Sequence, residues 1–303
     1  MKYNRLANFA LLGATLIWGS SFFILKNTID SLPVLWVLSF RFIAAALLLF
    51  AIFPKVVLGV TKRQALNGVI TGVFLALAYI TQTYGLKTIT PGENAFLTSV
   101  YCVIVPFLYW IISREKPELH NFLSAFICIA GIGLVCLNGK MEFNTGFLLT
   151  LIGGVGYSFH MVAVKRFGEN QNVFAFLTYQ LGTVGILSLA GALIFEPFPT
   201  SVGGDAVFSL LYLAFICTLL AMFLQNWGQK YTTAAKSAII MSLEAVFGVA
   251  FSMIFYKEQL TLQPAIGFVL IFAAVLISEL KPKFRLKKKS VAAENGEDKS
   301  QIQ

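Results

Sequence analysis

Two side chains carry a full charge where charge is expensive. Arg41 and Glu244 lie inside long apolar runs, and a charged residue at mid-helix costs roughly 2.5–3.5 kcal/mol on insertion scales. Facing lipid is the costly arrangement for both, so each is expected to face a cavity or a partner. Each lies seven residues into its run, Arg41 in one starting near 34 and Glu244 in one starting near 237. At 1.5 Å per residue, each sits about 10 Å from its own surface, with about 10 Å of depth between them. A guanidinium takes a carboxylate and a carboxylate takes an amine, so a zwitterionic solute can use both. Arg41 serves equally as a lock between helices.

Helical spacing groups further residues. Gly68, Gly72, Leu75, Tyr79 and Gln82 form one stripe, and Asn94, Thr98, Tyr101 and Val105 another. Gly153, Tyr157, His160 and Val164, then Ser237, Met241, Glu244 and Gly248, then Ala14, Trp18 and Ser21 do the same. Such stripes either line a pathway or pack helix on helix, and packing is the expectation for each glycine. Gln82, Tyr101 and Gln225 suit either role, because interhelical hydrogen bonds satisfy them as a solute would. Trp18, Tyr79, Tyr101 and Tyr157 offer aromatic surface to a solute of mixed character. His160 has the ring that titrates near neutral pH, although a hydrogen-bonded interior histidine is the plainer expectation. Glu244 is the better proton carrier if transport is proton-coupled. The expected pathway residues are Trp18, Arg41, Tyr79, Gln82, Tyr101, Tyr157, His160, Gln225 and Glu244.

Catalytic chemistry finds little support. Asp30, Asp205 and Asp298 are the only aspartates and lie outside the apolar runs. No H-E-x-x-H, G-x-S-x-G or P-loop occurs. Cys102, Cys128, Cys136 and Cys217 form no C-x-x-C and read as small packing residues. His120 and His160 cannot converge with thiols scattered in this way, so no metal, cofactor or enzyme activity is expected.

The elements that must position these residues follow from composition. Of 303 residues 57% are hydrophobic and only 12% charged, roughly half the usual charge of a soluble domain. Mean hydropathy is +0.78. The bilayer is therefore the expected solvent, and the fold class is an all-α membrane protein, since backbone groups in lipid must be satisfied internally. Ten transmembrane helices are predicted, at about 7–25, 34–53, 65–86, 94–112, 121–138, 146–164, 173–195, 206–228, 237–256 and 264–280. The first is too long for a signal-peptide core and reads as a retained span.

Charge sets the expected orientation. With both termini cytoplasmic, 18 of the 23 Lys and Arg residues fall on the inner side and four on the outer, with Arg41 inside a span. The net charge of +9 thus reads as a topology signal in the cell membrane, not as a nucleic-acid surface. The tail, residues 281–303, divides into a polybasic stretch, Lys281 to Lys289, and a polar remainder expected to be disordered. The basic stretch suits contact with anionic lipid, or a plain stop signal.

The chain also repeats itself. Displaced by 143 residues, positions 78–116 match their counterparts at ten of 39 places, including Gln82/Gln225, Lys87/Lys230, Ser99/Ser242 and Glu115/Glu258. Gln, Lys and Glu matches carry weight because such residues are scarce in spans. Two units are expected, 1–143 and 144–280. Five spans each is an odd number, so consecutive copies must lie upside down to one another. Inverted repeats mark carriers that work by alternating access.

Several motifs sit on this frame. They are Gly13-x4-Trp18-Gly19-Ser20-Ser21-Phe22, Arg41-Phe42, and Thr233-Ala234-Ala235-Lys236-Ser237-Ala238 leading to Ser242-Leu243-Glu244-Ala245. The turns Arg114-Glu115-Lys116 and Lys257-Glu258-Gln259 complete them. In order and spacing the sequence resembles the EamA-type branch of the drug/metabolite transporter superfamily, over residues 1 to about 280. Family members usually carry proline after the glutamate of the ninth helix, where this chain has Ala245. The resemblance implies a five-plus-five inverted-repeat carrier, often an exporter of amino acids or other metabolites, and no particular substrate. The expected function is export of small amphipathic metabolites. An intramembrane enzyme and a non-transporting scaffold are the alternatives. Expected partners are a small-molecule substrate and the lipid bilayer, with no nucleic acid; the oligomeric state is open.

Overall fold

The structure is a computed structural model, described here for residues 2–114, 116–136, 144–256 and 262–280. Glu115, Glu258, the Cys136 side chain and the tail from Lys281, with its expected lipid contact, lie outside the described residues.

Every regular element among the described residues is helical. The first four are α1 (Lys2–Ser31), α2 (Val34–Ile52), α3 (Pro54–Leu58) and α4 (Lys62–Leu86), followed by α5 (Pro91–Thr98), α6 (Tyr101–Ser113) and α7 (Leu119–Cys136). The second half holds α8 (Thr145–Gly168), α9 (Val173–Phe195) and α10 (Gly204–Leu211), then a π-helical stretch over Tyr212–Leu220. It ends with α11 (Ala221–Lys230), α12 (Ala234–Met241), α13 (Leu243–Tyr256) and α14 (Leu262–Leu280).

The boundaries follow local chemistry. Thr61 with Gln64, and Thr90 with Glu93, form capping boxes at the starts of α4 and α5. Thr233, Asn144 and Asn172 cap α12, α8 and α9 with side-chain oxygens. Pro54 and Pro91 occupy first-turn positions, where a missing N–H costs nothing.

Eight helical spans among the described residues are long and apolar enough to cross a membrane. They are Arg5–Ser31, Val34–Ile52, Lys62–Leu86, Pro91–Ser113, Thr145–Gly168, Val173–Phe195, Gly204–Lys230 and Ala234–Phe255. They match the first four and the sixth to ninth predicted segments. The fifth predicted segment is α7, with a shorter apolar stretch at Leu119–Gly131, and the tenth is α14.

Three features depart from the periodicity. The fourth segment is interrupted at Ser99 and Val100, and the ninth at Ser242. The eighth carries a π-helical stretch, within which the Thr218 hydroxyl donates to the Leu213 carbonyl at 2.8 Å. An unbroken apolar run conceals such features, because hydropathy reports burial and not hydrogen-bond register.

The burial pattern is inverted relative to a soluble domain. Phe9, Leu47, Ile111, Ile186 and Phe195 are exposed, while Arg41, His160, Gln180, Gln225, Gln229 and Glu244 are buried. Apolar side chains suit lipid, and polar ones must find partners inside. Helix α4 runs along α8, α2 along α9, and α7 along α14; α1 packs against α11 and α13. Glycine makes the closest approaches possible. A Cβ on Gly72 would lie 2.8 Å from the Gln180 carbonyl oxygen of α9, and one on Gly153 would lie 3.1 Å from the Ala78 oxygen of α4. The glycine stripes are packing seams.

Two ends of the bundle are identifiable by contact. At one, the α11 end lies beside the α1 start, since Gly228 abuts Leu11 and the Ala7 carbonyl. There Lys230 also donates to Gln171 O at 3.1 Å and Arg166 to Ile112 O at 3.1 Å. At the other, Lys26 donates to the Leu86 and Lys87 carbonyls, and Glu196 accepts from the Leu35 N–H and Tyr84 hydroxyl at 2.8 Å each. We term these the N-terminal face and the opposite face.

Candidate functional site

The two helix interruptions meet at the centre. Tyr101 opens α6 just past the first break, and Glu244 stands in the first turn of α13 just past the second. Tyr101 Oη donates to Glu244 Oε2 at 3.4 Å. The carboxylate thus lies at the positive end of a half-helix. At the second break, Cys128 Sγ donates to Ser242 Oγ at 3.3 Å, and Ser242 donates in turn to the Ile239 carbonyl.

Around Glu244 lies a small cavity of about 20 Å³, lined by Trp18, Ala78, Tyr79, Gln82, Thr98, Gly153, Tyr157 and Glu244. That is room for about one water molecule. Five of the nine expected residues line it: Trp18, Tyr79, Gln82, Tyr157 and Glu244. The rest stand directly behind. Tyr101 packs on Tyr157, ring centroids 5.2 Å apart, and His160 packs on Tyr157 at 5.4 Å. Gln225 comes beside both Tyr157 and His160.

Secondary contacts hold the lining in place. Trp18 Nε1 donates to the Cys217 carbonyl at 2.7 Å, and its ring meets Tyr157 edge-on. That carbonyl belongs to the π-helical stretch, where the altered register redirects backbone groups. Gln82 Nε2 donates to Thr98 Oγ1 at 2.8 Å, and Asn94 Nδ2 donates to Thr150 Oγ1 at 2.8 Å.

Arg41 is 1% exposed. Its Nε donates to Thr218 Oγ1 at 2.7 Å, and its guanidinium carbon lies 5.1 Å from the Tyr79 ring centre and 5.3 Å from that of Phe42. Both Nη atoms are buried with no hydrogen-bond partner among the described residues. An unpaired guanidinium this deep loses most of its hydration, and cation–π contact recovers only part of that. Neither Arg41 nor Glu244 has an opposite charge within 4.0 Å among the described residues, as their different depths lead one to expect.

A second polar group extends from the centre toward the N-terminal face. His160 Nδ1 meets the Thr71 carbonyl at 3.2 Å, and Gln180 Nε2 donates to Asn226 Oδ1 at 3.0 Å. Gln225 Nε2 donates to Gln229 Oε1 at 3.2 Å. Among the described residues Gln229 Nε2 and Gln180 Oε1 are buried without a hydrogen-bond partner, and Tyr157 Oη, His160 Nε2 and Gln225 Oε1 have none beyond their approach to one another. Buried polar atoms are ordinarily satisfied, so such a concentration marks a place built for water or a polar ligand.

The sequence reading missed several of these residues. Gln180 and Asn226 carried a usable signal, being amides within apolar runs, and Gln229 stands just past the predicted end of its run. Thr98 stood in a predicted stripe without being singled out. Thr218 carried none, because a lone threonine in a span is ordinary and its role depends on where Arg41 lands.

A membrane-embedded helical bundle with a charged, partly unsatisfied centre is the architecture of a solute carrier. A family model described as the EamA-like transporter family matches residues 5–137 and again 144–280. The chain belongs to the EamA-like transporter family, within the drug/metabolite transporter superfamily. An uncharacterised transporter of Archaeoglobus fulgidus is 31% identical over 278 residues, 91% of this chain and 86% of that protein. The uncharacterised transporter YetK of Bacillus subtilis is 25% identical, covering 93% and 89%. The uncharacterised inner membrane transporter YedA of Escherichia coli is 24% identical over 70% of this chain and 71% of its own. One crystal structure, 17% identical, superposes with a TM-score of 0.75 over 91% of this chain and 96% of that one. That likeness concerns the fold.

Proposed function

We propose that this transporter exports small amphipathic metabolites, amino acids or similar solutes, across the cytoplasmic membrane by alternating access. Ten spans form two inverted five-helix units, 1–143 and 144–280, with both termini in the cytoplasm. The solute binds between them, its carboxylate at Arg41 and its amine at Glu244, against Trp18, Tyr79, Tyr101 and Tyr157. Gln82, Gln225 and His160 complete the polar lining.

The observation that carries this reading is the meeting of two interrupted helices at Tyr101 and Glu244, beside a guanidinium whose Nη atoms have no hydrogen-bond partner among the described residues. Discontinuous helices at mid-membrane are how transporters present helix ends to a solute. Support for the inverted units comes from the family model's two successive matches. It comes also from reciprocal packing: α4 on α8 pairs the third segment with the sixth, and α1 on α11 pairs the first with the eighth. Exchanging the units converts one pairing into the other. The cavity of about 20 Å³ admits no metabolite, so the helices around it part when the solute binds.

Proteoliposomes holding the wild type, Arg41→Gln or Glu244→Gln test the reading with a mixture of radiolabelled amino acids. The wild type is expected to exchange at least one of them across the membrane. Each variant should lose about tenfold or more, the consequence of losing a charge-assisted hydrogen bond. Normal kinetics in both variants would overturn the assignment.

A further inference from the structure

We propose that a second cavity, at the N-terminal face, is an anion-binding vestibule that takes the carboxylate or phosphate group of a soluble solute at the mouth of the route to the centre. This rests on the carrier reading above and deepens it, by making an anionic group part of what the carrier selects.

The cavity has a volume of about 450 Å³, within the range of small-molecule sites. The central cavity is about 20 Å³. Four lysines converge on the vestibule from separate stretches of chain: Lys116 before α7, Lys165 in α8, Lys230 at the end of α11 and Lys236 in α12. Two carboxylates line it as well, and both have local partners. Glu169 lies 3.5 Å from Lys165, and Glu118 lies 3.2 Å from His120. Among the described residues Lys116 and Lys230 have no carboxylate within 4.0 Å. The first turn of α12, capped by Thr233, forms part of the same wall and adds the positive end of a helix dipole.

Membrane topology by itself explains lysines on one face of the bundle. It does not require lysines of four segments to share one cavity. The polar atoms that continue inward suit the same kind of ligand. Beside Lys230 in the chain, Gln229 is buried with Nε2 unpartnered among the described residues. Further in stand the Tyr157 hydroxyl and His160 Nε2, and Arg41 with both Nη atoms unpartnered among the described residues. Gln229 Nε2, the Tyr157 hydroxyl and the Arg41 Nη atoms are N–H or O–H donors, whereas His160 Nε2 is an acceptor in the neutral ring whose Nδ1 donates to the Thr71 carbonyl. A carboxylate or phosphate oxygen meets lysine ammonium groups at the mouth and the Arg41 guanidinium at the centre, whereas a simple cation meets two ammonium groups without carboxylate partners at the outset.

Lipid phosphate offers the same chemistry as a soluble anion, and the experiment separates them. The full chain is placed in nanodiscs of phosphatidylcholine alone, and inorganic phosphate and succinate are titrated calorimetrically at low ionic strength, where exposed charges are least screened. Saturable binding of at least one probe is expected. It should weaken about tenfold in Lys230→Gln and in Lys236→Gln, the loss of one charge-assisted contact. Lys230→Arg should retain it, which separates loss of charge from misfolding, and Lys87→Gln, at the opposite face, should leave it unchanged. Absence of saturable binding, or equal binding in the Gln variants, overturns the proposal. So does a requirement for phosphatidylglycerol in the disc, which would make the cavity a lipid headgroup site. Amino-acid exchange without such binding would remove the vestibule and leave the carrier reading intact. Binding without exchange would do the opposite.

Discussion

Tyr101 and Glu244 touch across 143 residues of chain, the phenol oxygen 3.4 Å from Oε2. The same interval of 143 aligns the chain with itself. Each residue follows a break in its helix, one after Ser99 and Val100, the other after Ser242. Under the inverted pairing proposed above, a contact between equivalent positions falls on the axis that exchanges the two units. A relative rocking of the units must act through this contact.

Tyr101→Phe removes one hydrogen bond from a buried carboxylate and leaves the ring in place. Loss of about 1–2 kcal/mol of stability is expected, read as a lower unfolding temperature in detergent, together with slower amino-acid exchange. If both remain at wild-type values, the contact plays no part in either.

Thr218→Val keeps the shape of the side chain and deletes the acceptor for Arg41 Nε, now 2.7 Å away. Arg41 keeps its charge and loses its aim. Initial-rate measurements should show KM raised about tenfold, with Thr218→Ser close to wild type. An unchanged KM would mean that the cation–π contacts with Phe42 and Tyr79 orient the guanidinium unaided.

Gly72→Ala places a methyl 2.7 Å from Thr183 Cβ and 2.8 Å from Gln180 O, so α4 and α9 must separate. Overpacking of this kind costs about 1–3 kcal/mol. Gly133→Ala meets nothing within 4 Å and should be neutral or gain a few tenths from helix propensity. Melting curves of the two variants side by side decide the matter: equal values would refute the seam.

Glu115→Cys and Glu258→Cys occupy the two turns that the repeat equates. With five spans in each unit, as proposed above, the two thiols should react with a membrane-impermeant maleimide from opposite sides, Glu115→Cys only after permeabilisation. Labelling from the same side would refute the inverted arrangement.

Much of the candidate site was legible because charge and amide groups are rare in apolar runs. Glu244 and Arg41 announced themselves by cost, and Tyr79, Gln82, Tyr157 and His160 by helical register with small residues. Register fails where a helix is interrupted. The stripes Asn94–Thr98–Tyr101 and Ser237–Met241–Glu244 each cross a break that hydropathy cannot register, since the residues on both sides are equally apolar.

The sequence by itself determined the solvent of this protein, the helical class, the family and the residues too polar for lipid, because each follows from composition and spacing along one chain. Only the tertiary structure decided which of those residues meet. It brought Tyr101 to Glu244, set Thr218 under Arg41, turned a carbonyl of the π-helical stretch toward Trp18, and gathered four lysines around one cavity. The physical reason is that a hydrogen bond or a shared cavity depends on distance in space, and helices from different parts of the chain supply its two sides.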